Sequence, residues 1–193
     1  IPSGKLVILF IGKLEVYKGC YEFVQSVLLL KENYNNIHAL IIGVGNESSS
    51  LKEIINKEGA NDYFTFIDGL PHTQIYAAHS ISDIYVSMNY FGNLSNANLE
   101  AVQSNDCMII PASQVDIDIV TNDLLKGAVI NVPIKSPISL SNAIDDLIKS
   151  EEKRLNMSNA INIIKQDFIW SWKERINTEM SLLRIIAGTQ NSN

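Results

Sequence analysis

Lysines set among glycines at the end of an apolar run can hold an anion, and Gly12-Lys13-Leu14-Glu15-Val16-Tyr17-Lys18-Gly19 is such a stretch. It leads into a helical pattern, so free N–H groups and the partial positive charge of a helix start join two full positive charges. It is not a Walker A loop, because the Gly-Lys-Ser/Thr ending is absent. The residues alone leave a second reading open, in which both lysines are solvated and Gly19 only permits a turn. A second stretch, Asn89-Tyr90-Phe91-Gly92-Asn93-Leu94-Ser95-Asn96, combines a glycine and small polar residues with another helix start. Glu100 follows about one turn into that helix, on a face able to turn back toward the same cleft. There a carboxylate can accept two hydrogen bonds from a vicinal diol such as a ribose. A surface glutamate favoured by the helix dipole is the plainer alternative. The third stretch, Gly43-Val44-Gly45-Asn46, lacks the last glycine of a dinucleotide fingerprint, which would fall at Ser48. It also follows the second strand rather than the first. A tight turn or a close backbone approach to a ligand is expected there, not a dinucleotide dehydrogenase.

The elements that must position these loops are legible from periodicity. Lys5–Ile11 is a continuous apolar run, the pattern of a strand buried on both faces. Gly19–Asn33 has helical spacing through Phe23, Val27 and Leu30. Further strands are predicted at 37–42, 63–67, 83–88, 107–110 and 127–132. Helices are predicted from Ser48–Ser50 to Gly59, from Pro71 to His79, and over 95–104. Three more, at 140–149, 151–166 and 170–186, close the chain. Strands and helices alternate without a hairpin, which specifies an α/β, doubly wound six-stranded parallel sheet of Rossmann-like type. With the order 3-2-1-4-5-6, strands one and four flank the switch point, and both anion-binding loops face one crevice.

Composition narrows the partners. Among 193 residues, 15 basic side chains oppose 21 acidic ones, for a net charge of −6. That balance excludes nucleic acid or an anionic membrane surface as a default partner, since both call for a basic footprint. No apolar run approaches the roughly 18 to 20 residues that span a bilayer, so no direct membrane contact is expected. Two cysteines, Cys20 and Cys107, form neither metal-ligand spacing nor a disulfide framework, which suits a reducing, cytoplasmic compartment. Cys20 follows a helix start that would lower its pKa, but with no base nearby in sequence it reads as a small apolar residue. The opening Ile1-Pro2-Ser3-Gly4 has neither an initiating Met nor a signal peptide, and reads as the interior of a longer chain.

The order of these fragments resembles the donor-binding, C-terminal half of GT-B glycosyltransferases, specifically the retaining family 4. The likeness runs from about Lys5 to Ile186. Gly12-Lys13-Leu14 with Tyr17-Lys18-Gly19 resembles the family's phosphate loop, and Ala39–Gly45 and Phe64–Gly69 its second and third strands. Tyr76-Ala77-Ala78 with Ser82–Ser87 resembles its helix-to-strand signature, and Leu99-Glu100-Ala101 the end of its Glu-x7-Glu motif. Phe168 and Trp172 resemble the start of its closing helix. The resemblance implies that residues 1–193 are one nucleotide-sugar-binding domain whose N-terminal acceptor domain is absent. Gly12, Lys13 and Lys18 would hold the diphosphate of a UDP- or GDP-linked donor, with the backbone around Leu94, Ser95 and Asn96. Glu100 would bind the ribose. No metal or cofactor is implied, because lysines and helix ends can neutralise the leaving diphosphate.

One departure stands out. Gly92 occupies the position of the motif's first glutamate, and Asn93-Leu94-Ser95 replaces the family's Gly-Phe-Gly. The resemblance assigns that glutamate to the transferred sugar, so a peptide dipole or Asn93 would have to substitute. A non-catalytic GT-B-like module binding a partner protein or glycan is the alternative, and a sugar-nucleotide epimerase of the same fold a third. His38, His72 and His79 have no carboxylate or cysteine at ligand spacing and are expected on the surface or in loops. Asp116, Asp118, Asp145 and Asp146 fall on peripheral segments and do not suggest a carboxylate pair facing across a cleft. Trp170, Trp172, Ile176, Met180 and Leu183 form an amphipathic face, suited to core packing or to contact with the missing domain.

Overall fold

In the computed structural model of the chain, the apolar run Leu6–Ile11 (β1) is an inner strand of a six-stranded parallel sheet. Successive side chains alternate across it, so Ile8 and Phe10 enter one core while Val7 and Leu9 enter the other. The structure describes residues 2–93, 95–112, 123–125, 127–167 and 172–190. After β1 come α1 (Cys20–Leu30), β2 (Ile37–Ile42), α2 (Ser48–Lys57), β3 (Phe64–Ile67) and α3 (His72–Ser80). The second half contains β4 (Ile84–Val86), α4 (Asn96–Ser104), β5 (Met108–Pro111), β6 (Ile130–Val132), α5 (Pro137–Ile148), α6 (Glu151–Ile164) and α7 (Trp172–Gln190). The strand order is β3-β2-β1-β4-β5-β6, the order expected of a Rossmann-like sheet. Residues 6–11 of β1 pair in register with residues 37–42 of β2, and Ile8 of β1 stands opposite Ile84 of β4.

Helices cover both faces of the sheet. Phe23 and Val27 of α1 pack with Leu51 and Ile55 of α2 and with Leu140, Ile144 and Leu147 of α5. On the other face, Ala101 and Val102 of α4 meet Ile161 and Ile164 of α6 and Ala78 of α3. Ser95, Ser136 and Ser150 cap α4, α5 and α6, each accepting a backbone N–H three residues on. The expected cap in Ser48–Ser50 is not formed, because Ser48 is already the first residue of α2. Its hydroxyl closes the preceding turn instead, donating to the Gly45 carbonyl at 2.8 Å. The predicted strand 83–88 shortens to Ile84–Val86. Asp83 serves the sheet with its side chain, its carboxylate accepting the Val7 N–H at 2.8 Å.

Two of the three histidines correct the surface expectation. His38 and His79 are buried, because each finds a polar partner inside. His38 Nε2 lies 2.8 Å from Thr65 Oγ1 on the neighbouring strand. His79 Nδ1 lies 2.6 Å from the buried Asp106, which follows α4. Sequence separation hid both pairs. Asp145 accepts from the Tyr34 hydroxyl at 2.6 Å and pairs with Lys149, so it ties α5 to the end of α1. Asp146 pairs with Lys153 at 3.5 Å. Asp116 and Asp118 lie outside the described residues.

The cysteines behave as core residues. Both are buried, and burial pushes each thiol up to about 12, which reverses the lowering that a helix start would cause at Cys20. At pH 8 almost no thiolate exists to attack. Ellman's reagent is therefore expected to react with neither thiol in the native protein over minutes, and with both once guanidinium unfolds it. Rapid native reaction at either thiol would contradict this burial.

The described apolar side chains of the last helix, α7, do not enter the core. Ile176, Met180 and Leu183 are 51 %, 46 % and 60 % exposed, and Ile185 and Ile186 are exposed beside them. Phe168 and Trp170 lie outside the described residues. Among the described residues, no helix is long and apolar enough to cross a membrane.

Candidate functional site

The loop after β1 is folded by the loop after β2. The Gly12 and Leu14 N–H groups donate to the carbonyls of Ile42 and Val44, each at 3.0 Å. Leu14 is thereby buried, and the chain turns through a 3-10 segment, Val16–Lys18, into α1. The two loops are in backbone contact. A Cβ on Gly43 would stand 1.9 Å from the Gly12 carbonyl oxygen, and one on Gly45 would stand 2.2 Å from that of Leu14. The close approach of these glycines is to the backbone of the chain's own lysine loop. Glu15 completes the clasp by accepting the Asn46 N–H at 3.3 Å.

The loop after β4 lies against the first. The Tyr90 N–H donates to the Tyr17 carbonyl at 2.9 Å, and the Asn89 amide donates to the Gly92 carbonyl at 2.6 Å. The Tyr90 hydroxyl donates to the buried carboxylate of Glu22 in the first turn of α1. Burial first, and that bond second, hold the phenol above its ordinary range. Gly92 sits at φ 119°, a backbone conformation in which a glutamate would be strained. Asn93 is buried, and its amide donates to the Pro111 carbonyl at 2.9 Å, so its amide nitrogen is already engaged. Leu94 lies outside the described residues.

Gly12, Lys13, Tyr17, Lys18, Asn89 and Ser95 line one cavity of about 330 Å³ at the carboxyl ends of β1 and β4. Four residues singled out in the sequence, Gly12, Lys13, Lys18 and Ser95, are thus brought together. The start of α4, where Ser95 is the cap, opens at the same place. The Lys18 amine is held below the ordinary lysine range, first by partial burial and then by repulsion from Lys13. An anion between the two lysines would offset the cost of burial and screen their mutual repulsion.

Asn96 and Glu100 stand outside that cavity's lining. Asn96 is exposed at the first position of α4. The Glu100 carboxylate is partly exposed and meets His72 of α3, Oε1 to Nδ1, at 3.1 Å. Sequence reasoning missed His72, Tyr17 and Asn89 as neighbours of these groups. His72 carries no sequence signal for its position beside Glu100, since only the packing of α3 on α4 joins them. Tyr17 and Asn89 were inside the stretches singled out, and their polar or aromatic type was the available signal.

With this geometry in hand, comparison with known proteins is specific. The family model described as "Glycosyl transferases group 1" matches residues 1–162. "Spore coat protein SA" of Bacillus subtilis (strain 168) is 26 % identical over 158 residues, covering 78 % of this chain and 41 % of that protein. This chain therefore spans about two-fifths of the length of that curated relative. The solved C-terminal domain of a glycosyl transferase group 1 family protein (LpcC) from Francisella tularensis shares the fold, with a TM-score of 0.74 at 19 % identity. That likeness covers 87 % of each chain. Anabaena Alr3699/HepE, solved with UDP and glucose, has a TM-score of 0.73 at 15 % identity, covering 99 % of this chain and 49 % of that one.

Proposed function

Because the chain belongs to the glycosyl transferases group 1 family, we propose that it is the nucleotide-sugar-binding half of a retaining, family 4 glycosyltransferase. The observation that carries this reading is the convergence of Lys13, Lys18 and the start of α4 on one cavity at the β1–β4 switch point. Lys13 and Lys18 hold the donor diphosphate, with Gly12 allowing close approach. Backbone N–H groups around Leu94, Ser95 and Asn96 meet the phosphates from the other side. Glu100 accepts the ribose hydroxyls, using the lone pairs that His72 leaves free. As the sugar leaves, charge grows on the diphosphate, and the lysines and helix ends stabilise it without a metal ion. Solution of the Anabaena protein with UDP and glucose makes uridine donors the first to test, before GDP-linked ones.

Transfer itself needs an acceptor side. The exposed apolar face of α7 is the surface on which we place the N-terminal GT-B domain, in a cytoplasmic enzyme of polysaccharide, lipopolysaccharide or glycoconjugate synthesis. Calorimetric titration with UDP-glucose, UDP-N-acetylglucosamine and GDP-mannose is expected to show saturable binding of at least one donor. Absence of binding by all three would overturn the reading. In a radiolabelled transfer assay, this chain alone is expected to move no sugar to an acceptor, and robust transfer would contradict the proposed division of labour. One observation favours a second reading, a non-catalytic module for a partner protein or glycan: Gly92 carries no carboxylate. Donor binding without any transfer after an N-terminal half is supplied would select that reading.

A further inference from the structure

We propose that Tyr17 and Phe91 form a stacking platform for the sugar ring of the nucleotide-sugar, a step that rests on the donor-binding reading above. Phe91 is 69 % exposed, an unusual position for a phenyl ring on a short loop. Its centroid lies 5.6 Å from that of Tyr17, with the planes tilted by 41°. Tyr17 lines the lysine cavity, and Lys18 Nζ stands 5.4 Å from its ring centroid. The apolar surface is therefore continuous with the place where the two cations would hold phosphates. A ligand anchored there by its diphosphate carries its next group onto the rings.

The platform is built before any ligand arrives. Tyr90, next to Phe91, is held by three elements: its N–H by Tyr17, its hydroxyl by Glu22 of α1, and its ring by Lys135, 5.3 Å from the centroid. The Asn89 amide closes the turn around Phe91 by bonding the Gly92 carbonyl. The backbone that presents Phe91 is thus held in place, so little loop freedom is lost on binding. Gly92, adjacent, offers no polar side chain to sugar hydroxyls. The surface thus selects a pyranose by a patch of ring C–H groups laid on aromatic faces, rather than by hydrogen bonds to a carboxylate.

The experiment compares UDP with UDP-glucose, and GDP with GDP-mannose, by calorimetry on the unaltered chain, Phe91→Ala and Phe91→Tyr. In the pair that binds, the sugar-bearing ligand is expected to bind more tightly than its nucleoside diphosphate. Phe91→Ala is expected to weaken the sugar-bearing ligand about five- to tenfold while changing the nucleoside diphosphate less than about twofold. Phe91→Tyr, which keeps the ring, is expected to restore the difference. If Phe91→Ala weakens neither ligand, or both equally, the platform is overturned and the donor-binding reading stands. If none of the four ligands binds, both fail together.

Discussion

Lys18→Ala is expected to raise the dissociation constant for the bound nucleoside diphosphate about ten- to a hundredfold, the equivalent of one charge-assisted hydrogen bond. The lysine stands partly buried in the cavity beside Lys13, and its amine is held below the ordinary lysine range by burial first and by Lys13 second. A partly desolvated cation of this kind interacts more strongly with an anion than a solvated one does. Lys13 is exposed, so Lys13→Ala should cost less, and the double variant more than either. The pH dependence has a definite sign. The diphosphate favours the charged amine, so binding raises the pKa of Lys18, and affinity falls as pH rises through the value in the free protein. That fall begins below the range of an ordinary lysine. Calorimetry across alkaline pH measures it, and an unchanged affinity in Lys18→Ala would remove the lysine from the site.

Gly43→Ala is expected to lower unfolding free energy by about 3 kcal/mol, combining left-handed backbone strain with overpacking. Gly43 has φ 145°, and its added methyl would meet the Gly12 carbonyl oxygen at 1.9 Å and the carbonyl carbon at 2.9 Å. Both neighbours are backbone, so the loop itself must move. The loop that moves carries Lys13, and ligand affinity should fall along with stability. Gly12→Ala is the control for stability. Its methyl would meet nothing closer than the Phe10 ring at 3.8 Å, so its unfolding free energy should stay within about 0.5 kcal/mol of the original. Urea denaturation of the two variants measures the contrast, and equal midpoints would refute the assignment of Gly43 as a loop spacer.

How much of this could be read before the fold was known depends on how local the cause is. β1 and β2 are legible because both faces are covered, which leaves continuous apolar runs such as Leu6–Ile11. The parallel, doubly wound sheet follows from the alternation of elements and the handedness of crossovers. The Rossmann-like resemblance supplies the order 3-2-1-4-5-6 that the strand pairing shows. The stretch from Gly12 to Gly19 is legible as an anion loop because its lysines and helix start are adjacent in sequence. The partners of the histidines are not. His79 and Asp106 are 27 residues apart, and nothing in either segment alone announces the pair. The same holds for His72 beside Glu100 and for Glu22 beneath Tyr90. The closing helix shows the opposite limit, since amphipathic spacing reports an apolar face without saying what covers it. Its exposure at Ile176, Met180 and Leu183 is visible only in the folded chain.

By itself the sequence determined the periodic elements, their alternation and hence a parallel sheet, and the two loops that carry charge, because each is read from runs along the chain. Only the tertiary structure decided that Gly43 packs against the lysine loop, and which side chains, Lys13, Lys18 and Ser95 among them, line the crevice that the two loops share. It also decided that Glu100 faces His72 and that Tyr17 meets Phe91. These are contacts between segments far apart in the chain, and their geometry comes from strand register and helix packing, which no local pattern encodes.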